Sequence, residues 1–193
     1  MTRWRWQPLP PLVKPSRVAQ LVVFAIAACA TTAWAEDAPI NFTGTWKLDR
    51  SASDPMREML KAQGYNALEV SILEKVPVTQ VMTPTSDGLA IEIRSTIIRT
   101  SEQLHFDGHA RSEKSSVLGP VIRLSRWSPD GRQLLTMIRY NAKCGLGAEM
   151  TVTRTIAGAE RSRLMQETFV RLADGREFKA RQVFVRQDAG SRG

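Results

Sequence analysis

At 193 residues and a net charge of +8, the chain invites a nucleic-acid reading that its charge distribution does not sustain. Four of the 27 basic residues and none of the 19 acidic ones fall in the first 35 positions, so residues 36–193 carry 23 basic against 19 acidic side chains, interspersed and unclustered, for a net +4. The 158 residues after that point suffice for one domain with a real core and hardly for two, and since Cys144 is the only cysteine among them, no internal disulfide can brace it.

The leader has the three-part layout of a secretory signal. Arg3, Arg5, Lys14 and Arg17 precede an almost wholly apolar run from Val18 to Ala30, and Ala33-Trp34-Ala35 then offers a small-x-small cleavage site. The apolar run is too short for a comfortable membrane span, and no later stretch reaches the roughly 18 apolar residues that one needs. The expected division is therefore a signal peptide over 1–35 and a single domain over 36–193, exported to the periplasm or beyond. A second processing route competes with it: Ile26-Ala27-Ala28-Cys29 resembles the cysteine-ended box of bacterial lipoprotein signals, and would leave Cys29 lipidated on the cell envelope. The Ala35 site is preferred. Asn41-Phe42-Thr43 is formally a glycosylation acceptor, relevant only in a eukaryotic source.

Asn41 to Asp49 reads as a half-buried first strand, with Phe42, Gly44, Trp46 and Leu48 on one phase and Thr43, Thr45, Lys47 and Asp49 on the other. Asp54-Pro55 then marks a helix start, with Met56, Met59, Leu60 and Gln63 on one face and Gly64 as a left-handed stop. Asn66-Ala67-Leu68-Glu69 has capping-box spacing and opens a second short helix, whose apolar stripe is read as Leu68, Ile72 and Leu73 before Pro77 returns the chain to extended form. Such a pair either plugs a barrel end or forms a mobile portal.

Beyond Pro77 the chain alternates between strand-like segments and turns, the pattern of an antiparallel meander. Nine strands are expected near 76–82, 89–94, 96–106, 109–116, 121–127, 132–140, 149–156, 163–171 and 177–186. Asp107-Gly108, Asp130-Gly131 and Asp174-Gly175 punctuate them, and Asp-Gly between alternating runs is a strong hairpin signal. The fold expected is mainly β: an antiparallel up-and-down barrel of about ten strands with a short helix pair after the first.

In this order of elements the chain resembles the fatty-acid-binding proteins and, more loosely, the lipocalins, which together form the calycins. The resemblance runs from Phe42 to Arg186 and is carried by Gly44-Thr45-Trp46-Lys47-Leu48, by Met56 to Gly64, and by Ile91 to Thr100. It implies a clamshell-like barrel around a hydrophobic ligand, with arginine and tyrosine near the closing strands gripping a carboxylate. Arg154 stands where that family often places an inward basic residue, whereas its arginine and tyrosine positions correspond here to Gln182 and Phe184. Two members of the usual clamp are missing, which leaves a more neutral lipophile or a differently gripped acid.

The candidate ligand-binding residues are thus Trp46, Arg154, Gln182 and Phe184. Arg154 shares its phase with Met150, Val152 and Ile156, and Gln182 shares its phase with Phe178, Ala180 and Phe184. Each has a structural alternative: Trp46 as a core or barrel-floor residue, and Arg154 as the partner of a carboxylate such as Glu167 or as an outward residue in a register shifted by one. His105 and His109 bracket a hairpin and lack further ligands nearby, so no metal is implied. Cys144 lies in a glycine-bearing loop without a catalytic motif, and no paired base, oriented third group or phosphate loop is present. The sequence points to a non-catalytic carrier or sensor of a small, mostly hydrophobic molecule, without cofactor or nucleic-acid partner, and touching a membrane only if Cys29 is lipidated. Its rival is an envelope interaction protein with a filled barrel.

Overall fold

The computed structural model describes residues 40–158 and 161–187. The leader reading, with its Cys29 and Ala35 alternatives, lies outside the described residues. Strand β1 (Gly44–Asp49) is followed by helices α1 (Arg57–Ala62) and α2 (Ala67–Lys75). The remaining strands are β2 (Thr79–Pro84), β3 (Gly88–Arg94), β4 (Arg99–His105), β5 (Arg111–Ser115), β6 (Gly119–Trp127), β7 (Leu134–Asn141), β8 (Gly147–Ala157), β9 (Arg163–Leu172) and β10 (Glu177–Gln187). They form one antiparallel sheet in the order β4-β3-β2-β1-β10-β9-β8-β7-β6-β5.

Chain neighbours therefore pair throughout, except that β1 is sewn to β10, with Trp46 opposite Arg186 and Leu48 opposite Phe184, while β4 and β5 stand at the two edges. Side chains bridge those edges. The hydroxyls of Thr100 and Ser116 meet across the gap, and Arg123 of β6 reaches Glu102 of β4 at 3.4 Å and Glu113 of β5 at 3.0 Å. The result is the nearly closed ten-stranded barrel with a helix pair after β1 that the alternation and turn signals imply.

Element boundaries shift where local hydrogen bonding overrides periodicity. Asp54 does not cap α1, because its carboxylate accepts the backbone N–H of Arg181 at 2.8 Å and ties the linker to β10; Met56 occupies the cap position instead. Asn66 does form the capping box, exchanging hydrogen bonds with Glu69 at 2.9 Å in both directions. The stripe read for α2 is corrected by its packing: Val70 is the buried residue, while Leu68 is 70% exposed and Ile72 is also exposed. β4 starts at Arg99 rather than Thr96, since Ser95 closes a turn by donating its backbone N–H to Ile98 O at 2.8 Å.

Two apolar clusters fill the interior. One gathers Trp46, Met82, Ile91, Leu104, Leu134, Leu164 and Phe184 with Phe42, on which Trp127 stacks at 5.6 Å between ring centroids. The other joins Met59 of α1 to Ile138, Tyr140, Val170, Leu172 and Ala180. Polar side chains share these inward phases: Gln80, Arg123, Ser125, Thr136, Arg154, Gln166 and Thr168 are all buried.

Candidate functional site

The helix pair covers one end of the barrel and is latched at one point. Gln63, the C-terminal cap of α1, is buried; its side-chain carbonyl accepts the Tyr140 hydroxyl at 2.5 Å, and its backbone carbonyl accepts the Cys144 N–H at 3.0 Å. Gly64 turns the chain with φ of 95°, and a Cβ there would lie 2.5 Å from Cys144 N, so only glycine lets the turn sit this close to the β7–β8 loop. Lys143 adds an ion pair to Glu69 of α2 at 2.5 Å.

Beneath the helices lies a cavity of about 370 Å³. Its apolar wall comes from Leu48 and Val78 of the barrel and from Met56, Leu60 and Leu73 of the helical segment. Its polar lining is Arg50, Ser53, Asp54, Glu74 and Gln182. The charged members are already engaged: Arg50 donates to Val76 O, Glu74 pairs with Arg57 at 2.6 Å, and Asp54 holds Arg181 N. A wider depression of about 540 Å³ opens between α2 and the β3–β4 and β5–β6 turns, bordered by Tyr65, Ile97, Val117 and Lys143, and it shares Leu73 with the cavity. Ile97 and Val117 on those turns stand exposed, as do Leu68 and Ile72 on α2.

Deeper inside, the buried polar residues connect to one another. Gln80 Nε2 donates to Gln166 Oε1 at 3.3 Å, and Gln166 Nε2 donates to Gln182 Oε1 at 3.1 Å, so an amide ladder runs from β2 across to β10 and ends at the cavity lining. Arg154, opposite Gln166 in the β8–β9 register, continues this belt. It is 5% exposed, and its only hydrogen bond among the described residues is to Thr136 Oγ1 at 3.4 Å. Burial pushes its guanidinium down to about 10, opposed by Glu102 and reinforced by Arg123, so it stays charged at neutral pH. Arg123 Nε faces Glu113 at 3.0 Å without the alignment of a hydrogen bond, so that contact is electrostatic. Gln80 Oε1 and Arg154 Nε are buried without a partner.

The four residues singled out in the sequence are therefore spread over the inward face rather than gathered around one point. Trp46 and Phe184 are fully buried in the cluster that also holds Phe42 and Leu164, where Arg186 lies 4.4 Å over the indole and the Trp46 Nε1–H donates to Phe42 O at 2.9 Å. Arg154 is inward, and Glu167 pairs instead with Lys179. Gln182 alone of the four lines the cavity. Sequence reasoning missed Gln80, Gln166 and Arg123, although each sits on the phase its strand uses for the core, where a polar residue is itself a signal. His105 engages Asp87 at 2.5 Å, and among the described residues no group of three or more metal-ligating side chains converges.

No sequence-family model matches the chain, and no curated protein matches it by sequence. Solved structures do. Human cRBP IV superposes with a TM-score of 0.59 at 20% identity, over 77% of this chain and all of that one. The fold is calycin-like, of the fatty-acid-binding-protein type. The REP1-NXSQ fatty acid transporter follows at 0.58 and 14%, covering 76% of this chain and 96% of its own. Caenorhabditis elegans lipid binding protein 8 gives 0.58 and 16%, covering 76% and 95%. At such identities this calycin likeness extends to the fold alone.

Proposed function

We propose that the protein is an exported, non-catalytic carrier of a small, mostly apolar molecule that enters beside α2 and lodges beneath the helix pair. The observation that carries this reading is the cavity of about 370 Å³, with an apolar wall from Leu48, Val78, Met56, Leu60 and Leu73 and with the Gln182 amide among its polar lining. Volume and composition are those of small-molecule sites. Two solved barrels of this fold are by name a fatty acid transporter and a lipid binding protein, which supports a lipophilic cargo. Export rests on the leader, with Glu36 as the mature first residue and Cys29 lipidation as the alternative.

A native mass spectrum of the mature protein from its source organism, repeated after denaturation, tests both parts. The expected result is a chain beginning at Glu36 with a small adduct that denaturation removes. An empty barrel that also fails to take up the uncharged dye Nile red would refute the carrier and favour an envelope interaction protein, and a lipid on Cys29 would refute release from the envelope.

A further inference from the structure

We propose that the outer face of β6, β7, β8 and β9 docks a second copy of this chain, about a two-fold axis that runs between β7 and β8 and parallel to them. The inference stands apart from the carrier reading, because none of the side chains lining the cavity beneath the helices belongs to those four strands.

The outward phase of an antiparallel barrel strand is ordinarily polar. β4 keeps to that rule, with Arg99, Ser101 and Gln103 opposite in phase to the buried Leu104. β6 and β7 break it. Their inward phases hold the buried Arg123, Ser125, Thr136 and Ile138, while their outward phases set Ile122 at 49% exposure and Met137 at 38%, beside Leu124 and Leu135. The face carries a depression of about 230 Å³ bordered by Ile122, Leu124 and Met137, with Arg139 and Glu149 also in its lining. A contiguous apolar area on the outside of a barrel marks a contact surface.

The strand register names the occupant. Row by row across the face, Arg139 stands next to Glu149, Leu124 lines up through Met137 and Thr151 with Phe169, and Arg126 lines up through Leu135 and Thr153 with Glu167. A two-fold axis between β7 and β8 sets β7 of one copy against β8 of the other, and β6 against β9. Arg139 then meets the partner's Glu149, and Arg126 meets the partner's Glu167. In the row between them Leu124 meets the partner's Phe169. Ile122 receives the aliphatic stem of the partner's Arg171, whose guanidinium stays with its own Glu177 at 2.6 Å. Opposite charges and apolar groups thus match within each row, which is the self-complementarity an isologous contact demands and an unrelated protein would not impose. Arg139 and Glu149 also pair within the chain at 3.0 Å, but both are exposed, and so weak a surface pair is shared across the axis at small cost. The barrel curves away on either side, which confines the contact to these strands and sets an expected Kd of about 10 μM.

Sedimentation velocity of the mature protein from about 1 to 200 μM tests this, and the expected result is a monomer–dimer equilibrium. Arg139→Glu and Glu149→Arg each set like charges against one another across the axis, and each should raise Kd at least about tenfold. Mixed in equal amounts, the two variants should dimerise again, since each supplies the charge that the other lacks; mixing would not rescue a folding defect. A monomer at every concentration overturns the proposal and leaves the face to a different protein. Dimers that both variants retain overturn it as well, by assigning the contact to another surface such as that of Leu68 and Ile72. A mixture that stays monomeric overturns the pairing about this axis.

Discussion

Tyr140→Phe removes one oxygen atom from the latch that fixes α1 to the barrel. Tyr140 and Gln63 are 6% and 7% exposed, so the lost donor leaves the Gln63 side-chain carbonyl buried without its partner. Stranding such an acceptor costs about 1–3 kcal/mol. The effect has a pH signature. Burial, reinforced by Tyr65 and Cys144, pushes the Tyr140 hydroxyl from 10 up to about 12. A raised folded-state value means that the contribution is complete below pH 10 and is lost as the pH climbs towards 12, where the phenolate can no longer donate to Gln63. A shift of that size corresponds to about 3 kcal/mol at most. Urea unfolding of both proteins from pH 8 to 11.5 should show a gap of about 1–3 kcal/mol at pH 8 that shrinks steadily above pH 10. Hydrogen exchange at the Leu60, Gln63 and Gly64 amides should quicken in the variant at pH 8. A variant as stable as the parent, or a gap of the same size at pH 8 and 11, would refute the latch.

The edge closure and the sheet give two further expectations. Arg123→Met should leave the partly exposed Glu102 and Glu113 without their shared cation, costing about 1–3 kcal/mol and speeding amide exchange in β4 and β5 before the rest of the sheet; unchanged exchange there would mean that Arg123 does not hold the gap. Gly88→Ala would place a Cβ 1.7 Å from Leu104 O, within the β3–β4 pair, and should cost about 3 kcal/mol or more in thermal or urea unfolding. Gly145→Ala meets nothing within 4 Å and should lose only the roughly 1 kcal/mol of its left-handed conformation, so comparable losses at the two glycines would contradict the packing argument.

Much of the fold was legible because its signals are local. Period-2 alternation placed Trp46 and Leu48 on the correct face of β1, and Asn66 with Glu69 announced the start of α2. What escaped depends on partners distant in sequence. Asp54 looks like a helix cap until Arg181, 127 residues later, supplies a backbone N–H for it to accept. Leu68 and Ile72 look like a packing stripe because hydrophobicity alone does not say which side of a nine-residue helix meets the barrel. The amide ladder is the sharpest case. Gln80, Gln166 and Gln182 each interrupt an apolar phase, but only strand order and register bring β2 and β9 face to face. Inward polarity was visible at Arg154 and Gln182, and the connection between such residues was not.

The seam between β1 and β10 also bears on how the chain acquires its shape. It divides the sheet into a meander of four strands from the N-terminal half and one of six from the rest, joined through pairs such as Thr45 with Gln187. A polypeptide emerging N-terminus first from a ribosome holds β1 ready with one side unmatched until β10 arrives. Closure is thus the most non-local event in the molecule, and the loop entropy it must overcome places it late and makes it slow. Until then a strand edge stays open to chaperones and to stray partners alike.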